Sequence, residues 1–369
     1  MKFYMPTKLI TGAGSVAQSA ERIGALGRRC LIVTGKSSAK KCGALDDVTA
    51  ALDAQGIAWQ VYDGVRQNPT LESCAEGGAA ARAFGADFLV GVGGGSPLDA
   101  TKAIAVLAAN PGLSEADLYA ERWPDPPLKS VLVGTSAGTG SEVTPISVLT
   151  TESGRKRGLR SERLYAALSL GDAKYTMTLP RAFTLSTGVD ALAHCVESYF
   201  NKKADEVSRA FAVRGVRILV PALAEAAAAE DAAALSPELR ARLYDASILG
   251  GLAINTTGTT VPHNVGYYLT EHYGVSHGIA CAVFQPALLA HVKRTEPETA
   301  ATFYAETGTD EETLLGVIRA ALPPLDIRMT KAEIDGQLPR WENNAAVQSA
   351  LGDFTPAQIR EMLTEMFVR

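Results

Sequence analysis

Up to about residue 180 the chain repeats one pattern, and beyond it the pattern stops; no other feature narrows the fold as much. Four short apolar runs, residues 30–33, 59–61, 88–92 and 131–133, alternate with Ala-rich stretches of helical composition. Strand and helix in alternation build a parallel sheet with helices on its faces. After residue 180 helical periodicity takes over, and residues 182–200, 208–229, 237–255 and 356–367 show no strand alternation. The expectation is an α/β domain over residues 1–179 and an all-α domain over 180–369. A chain of 369 residues, 47% of them hydrophobic, can fill two such cores. The Ala-biased segment 222–234 reads as an exposed helix or its end.

The third apolar run leads into Gly93-Gly94-Gly95-Ser96-Pro97-Leu98-Asp99, with Lys102 one turn further on. Glycines without a Cβ, followed by a proline suited to a first helical turn, describe a strand, a tight turn and a helix start. Backbone amides at such a start can approach a pyrophosphate, aided by the positive end of the helix dipole. This is not the G-x-G-x-x-G fingerprint, yet it reads as a phosphate cradle of a Rossmann-like dinucleotide-binding domain. A second small-residue stretch, Gly134-Thr135-Ser136-Ala137-Gly138-Thr139-Gly140-Ser141, follows the fourth run and can line the other side of a nucleotide groove.

In the helical half, Asp190 and His194 stand four apart in Gly188-Val189-Asp190-Ala191-Leu192-Ala193-His194, so both project from one helix face. His263 and His277 follow, separated by a stretch long enough to bring both rings to the same point. One carboxylate and three imidazoles suit Fe(II) or Zn(II), and spacing alone does not choose between them. With the cradle in one half and these donors in the other, the active site is expected between the domains.

These segments together resemble the iron-containing, or group III, alcohol dehydrogenases, and the likeness runs from Phe3 to the C-terminal region. The resemblance implies a dehydroquinate synthase-like architecture and an NAD(P)-dependent alcohol dehydrogenase or aldehyde reductase. In it Asp190, His194, His263 and His277 hold one catalytic metal, usually Fe(II), with Zn(II) as the other choice. It also implies nucleotide contacts from Asn68, Gly94, Gly95, Ser96, Asp99, Thr135, Ser136, Thr139, Ser141 and Lys156, with Arg157 one residue from replacing Lys156. Relatives are often homodimers, and an exposed edge strand near residues 3–10 would suit pairing.

Two departures from the family pattern matter. Many NAD-preferring members carry aspartate where this chain has Gly35; an acidic residue there bonds the ribose 2′-hydroxyl and repels a 2′-phosphate. Here Gly35 is followed by Lys36, Ser37 and Ser38, so NADP(H) is favoured and NAD(H) remains open, with Gly35, Ser37 and Ser38 near the phosphate. Many relatives also place a histidine four residues after the third ligand, where this chain has Tyr267. A phenol with a pKa of about 10 donates hydrogen bonds but is a poor base at neutral pH, so Tyr267 is expected to orient or relay, and His272 to lie on the surface. The expected substrate is a small primary alcohol and its aldehyde, with reduction by NADPH the favoured direction. The alternatives are a functionalised aldehyde such as phosphonoacetaldehyde, or dehydroquinate synthase-like lyase chemistry on the same fold.

A net charge of −5 supplies no basic footprint, which argues against nucleic acid as a partner. No apolar run approaches membrane-spanning length, and the N-terminus lacks a signal-peptide core. Cys30, Cys42, Cys74, Cys195 and Cys281 are odd in number and scattered, which fits a reducing, cytoplasmic compartment better than a disulfide framework.

Overall fold

The computed structural model describes residues 3–368, and the chain divides into two compact units. One comprises Tyr4–Pro180 together with Leu235–Tyr244; the other comprises Arg181–Ala234 and the chain from Asp245 onward. The segment Leu235–Tyr244 joins the first unit although it opens the helix Pro237–Thr257. Helical periodicity reports that a stretch is helical, not which core each turn packs on. An anchor is visible: the buried Arg240 guanidinium donates to the carbonyls of Thr176 and Leu179.

The first unit is built on six parallel strands in the order β1-β8-β5-β4-β2-β3: β1 Lys8–Thr11, β2 Arg29–Thr34, β3 Ala58–Tyr62, β4 Phe88–Gly93, β5 Lys129–Gly134 and β8 Leu168–Gly171. Parallel strands covered on both faces read as continuous apolar runs, and β4 is buried at every position. Alternate side chains feed two cores. Cys30, Ile32, Phe88, Val90, Val92, Val131 and Val133 lie on one side of the sheet; Leu31, Val33 and Leu89 meet Ile104 and Val106 on the other. The helix Gly95–Ala109 carries that second core and is buried along most of its length. Its cover, the helix Leu71–Phe84, comes close through Gly77, where a Cβ would lie 2.5 Å from Ile104 Cδ1.

Three strands escape the sequence pattern. β8 has only four residues, and β6 Ile146–Thr150 with β7 Lys156–Arg160 forms a separate antiparallel hairpin whose second strand is mostly polar. The edge strand expected near residues 3–10 is β1, at one end of the sheet.

The second unit is helical among the described residues, apart from an isolated bridge between Asn201 and Ala350. Its central helix, Arg181–Tyr199, is buried over most of its length and runs against Glu206–Ala228. An aromatic cluster of Tyr199, Phe200 and Phe303, with ring centroids 4.8 to 5.2 Å apart, closes the far end. Among the described residues no helix is long and apolar enough to cross a membrane. All five cysteines are free thiols.

Candidate functional site

Three helices of the second unit bring the expected metal donors together. Asp190 and His194 share a face of Arg181–Tyr199, His263 lies in the first turn of Val261–Tyr273, and His277 opens His277–Ala282. Small residues permit the approach. A Cβ on Gly278 would fall 1.9 Å from the Ser186 carbonyl oxygen and 3.0 Å from Asp190 Cβ, and one on Gly266 would fall 2.7 Å from the Ala280 oxygen. The loop between His263 and His277 is therefore largely helix, and backbone contact sets the spacing of the rings.

One oxygen is the focus. Asp190 Oδ1 lies 3.4 Å from His263 Nε2, 3.9 Å from His277 Nε2 and 4.0 Å from His194 Nε2. Asp190 and His263 are buried, and neither Asp190 Oδ1 nor His263 Nε2 has a hydrogen-bond partner. Burial pushes the Asp190 carboxyl up, but the imidazoles of His194, His277 and His263 outweigh it and hold the group well below the usual carboxylate range.

The His263 tautomer follows from the residue behind it. Glu197, fully buried, places Oε1 at 2.6 Å from His263 Nδ1 and at 2.8 Å from Gln285 Nε2, which donates to it. Its Oε2 accepts from Thr260 N at 2.7 Å and Thr260 Oγ1 at 3.2 Å, at the start of the His263 helix. Nδ1 therefore donates to Glu197, and Nε2 is the ring atom left to face Asp190. Nε2 and Asp190 Oδ1 then face each other in a buried space, an arrangement that calls for either a proton on Nε2 or a metal ion between them. The donor set fits a divalent metal ion.

Asp190, His263 and His277 also group with Cys281, their donor atoms all within 4.8 Å of one another. His194 stands outside that group, stacked on His263 with centroids 4.7 Å apart. Tyr267 lies face to face with His277, centroids 5.6 Å apart and planes 16° apart. His272 points away, half exposed beside Glu271. Glu197 and Cys281 belong to no motif noted in the sequence, yet both obey helical spacing: Glu197 is seven residues after Asp190, and Cys281 four after His277.

In the first unit the two glycine-bearing stretches face each other across the ends of β4 and β5, which pair through Gly93 and Gly134. A Cβ on Gly94 would meet Ser136 Oγ at 3.0 Å, and one on Gly95 would meet Thr139 Cγ2 at 2.7 Å. Larger residues would fill this cradle, and amides at the head of Gly95–Ala109 border it, so the segment fits a pyrophosphate. Thr135 is buried beside it, its amide donating to the Gly93 oxygen. Asn68, with φ of 56°, joins from another loop: its amide donates to Ser96 Oγ at 3.2 Å and its Oδ1 accepts from Lys156 Nζ at 3.1 Å. Neighbouring Arg157 instead stacks on Tyr119 at 4.1 Å, as alternation along β7 sends the two side chains to opposite faces.

Asp99 and Ser141 are also tied into the chain itself. Asp99 Oδ1 accepts from Ser141 Oγ at 2.6 Å, its Oδ2 accepts from Val148 N at 2.9 Å, and Ser141 Oγ accepts from buried Lys102 Nζ at 2.7 Å. These bonds brace the cradle from behind. Gly35 follows β2 directly and is half-buried, a Cβ there 3.3 Å from the Val65 oxygen, and Ser37 and Ser38 are exposed beyond it.

A family model described as iron-containing alcohol dehydrogenase matches residues 6–173, and a second, described as the C-terminal part of the Fe-containing alcohol dehydrogenase family, matches residues 184–320. The chain is 35% identical to a sulfoacetaldehyde reductase of Bilophila wadsworthia over 286 residues, covering 77% of this chain and 72% of the relative. It is 33% identical to a 1,3-propanediol dehydrogenase of Klebsiella pneumoniae over 357 residues, 94% of this chain and 89% of the relative. An iron-containing alcohol dehydrogenase structure from Thermotoga maritima superposes with a TM-score of 0.90 at 35% identity, covering 99% of this chain and 98% of that one.

Proposed function

Because the chain belongs to the iron-containing alcohol dehydrogenase family and is an alcohol/aldehyde oxidoreductase, we propose that it reduces a short aldehyde to its primary alcohol with NADPH. The convergence of three imidazole Nε2 atoms on Asp190 Oδ1 within 4.0 Å carries the reading. Asp190, His263 and His277, with His194, hold the metal. When bound, the ion supplies a Lewis acid for the carbonyl or alcohol oxygen and the nicotinamide supplies or takes the hydride.

The chain's own residues have the remaining work. Glu197 holds His263 in the tautomer that leaves Nε2 open. Tyr267 fixes the plane of His277 by stacking and offers a phenol proton donor at the centre's margin. Gly94, Gly95 and Ser96 present amides to the pyrophosphate, and Asn68 with Lys156 closes that pocket. The absence of a carboxylate at Gly35, with Lys36, Ser37 and Ser38 exposed after it, supports NADPH over NADH.

The relative that reduces sulfoacetaldehyde favours a second reading, a short aldehyde bearing an anionic group. The lyase alternative finds no support among the relatives named above. Anaerobic loading with Fe(II) or Zn(II), then NADPH and NADH oxidation against neutral, sulfonated and phosphonated short aldehydes, tests both readings. NADPH should outperform NADH. Failure with every aldehyde under either metal would refute the reductase, and an NADH preference would refute the nucleotide assignment alone.

A further inference from the structure

Cys281 occupies the helix His277–Ala282 four residues after His277, so the two side chains share a face, as Asp190 and His194 do on theirs. It is fully buried. Its Sγ lies 3.5 Å from His277 Nδ1 and 3.9 Å from His277 Nε2, the nitrogen that faces Asp190. A tetrahedral ion with bonds of about 2.0 Å to nitrogen or oxygen and about 2.3 Å to sulfur has donor-to-donor edges of about 3.3 to 3.6 Å. Three of the six edges are 3.4 Å for Asp190 to His263, 3.9 Å for Asp190 to His277 and 3.9 Å for His277 to Cys281, and all four donor atoms lie within 4.8 Å of one another. These three exceed the ideal lengths by about 0.1 to 0.6 Å, before any ion draws the donors inward. The unpartnered Asp190 Oδ1 and His263 Nε2 are independent signs that a cation belongs here.

We propose that Cys281 is a sulfur donor to the ion held by Asp190, His263 and His277, making the centre one of mixed oxygen, nitrogen and sulfur character. The proposal rests on the metal-centre reading above and deepens it. Binding breaks the S–H bond and forms a metal–sulfur bond; the proton leaves to solvent and no electron is transferred. Two donors thus compete to complete the same triad: His194, 4.0 Å from Asp190 Oδ1, and the softer Cys281. A thiolate biases a site toward Zn(II) and Co(II) over oxygen-seeking ions such as Mg(II) or Mn(II).

Cobalt(II) reports both questions in one spectrum. The metal-free full-length protein, loaded anaerobically with Co(II), should show visible d–d bands from any bound ion and a near-ultraviolet sulfur-to-cobalt charge-transfer band only if sulfur is bound. Cys281→Ala should keep the d–d bands and lose the charge-transfer band, and Cys281→Ser, closer in size, should do the same if the alanine variant folds poorly. Cys195→Ala is the control, since that Sγ faces Gly215 of the helix Glu206–Ala228; its charge-transfer band should stay. Wild-type d–d bands without the near-ultraviolet band would overturn the sulfur ligand and leave the metal centre standing. A charge-transfer band that survives both Cys281 substitutions would overturn it equally. No d–d bands at all would defeat the metal centre and the proposal together.

Discussion

Replacing Glu197 by glutamine changes one atom behind the metal centre and leaves the side-chain volume almost untouched. The Glu197 carboxylate takes His263 Nδ1 and Gln285 Nε2 on one oxygen and Thr260 N and Oγ1 on the other. An amide must turn its NH2 toward one of these pairs. Toward Thr260 it would face a buried backbone N–H at the head of a helix, donor against donor, at about 1–3 kcal/mol. Toward His263 the conflict with Gln285 is relieved, because Gln285 Oε1 is buried without a partner and a flip of that amide supplies an acceptor. His263 must then accept at Nδ1, which moves its proton to Nε2 and blocks the metal donor. Restoring the open Nε2 returns the proton to Nδ1, opposite the amide NH2, at about 1–3 kcal/mol, or metal binding weaker by about 10- to 100-fold. Chelator competition with Zn(II) on Glu197→Gln, beside thermal unfolding of the metal-free protein, measures this. Metal affinity within about twofold of wild type would refute the tautomer argument; an equal loss in metal-free stability would reduce Glu197 to a structural strut.

Gly278→Ala places a methyl 1.9 Å from the Ser186 oxygen, so the His277 helix must retreat; metal content should collapse and stability fall by about 1–3 kcal/mol, read by metal analysis and thermal melts. Gly35→Asp should lower kcat/KM for NADPH by about tenfold or more while sparing NADH, since a carboxylate repels the 2′-phosphate; an unchanged ratio of the two would place that phosphate elsewhere. Lys156→Ala should raise the KM for NADPH by about tenfold through loss of a charge-assisted contact, whereas Arg157→Ala, whose guanidinium lies over Tyr119, should leave it unchanged. Equal effects of the two would mean that β7 presents the nucleotide with its other face.

What the sequence disclosed and what it hid divide along a physical line. Buried parallel strands such as β4 declare themselves because every position is apolar, and Asp190 with His194 because one helix sets their separation. The pairings that finish each site lie across large gaps in sequence, and their local composition is ordinary. Glu197 is 66 residues from His263, and Asn68 is 88 from Lys156. Asp99 shows the converse: a carboxylate in a helix's first turn beside a glycine cradle has the look of a ligand contact, but the chain uses both its oxygens internally. A motif names donor types, and only the folded chain says which lone pairs are left over. In the nucleotide-binding unit Asp99 and Ser141 find hydrogen-bond partners within the chain. In the helical unit Asp190 Oδ1 and His263 Nε2 have no such partner, and two buried groups of this kind 3.4 Å apart need a proton on the ring nitrogen or a metal ion between them, so the same pair that is stable as an ion pair is poised to exchange its proton for a metal.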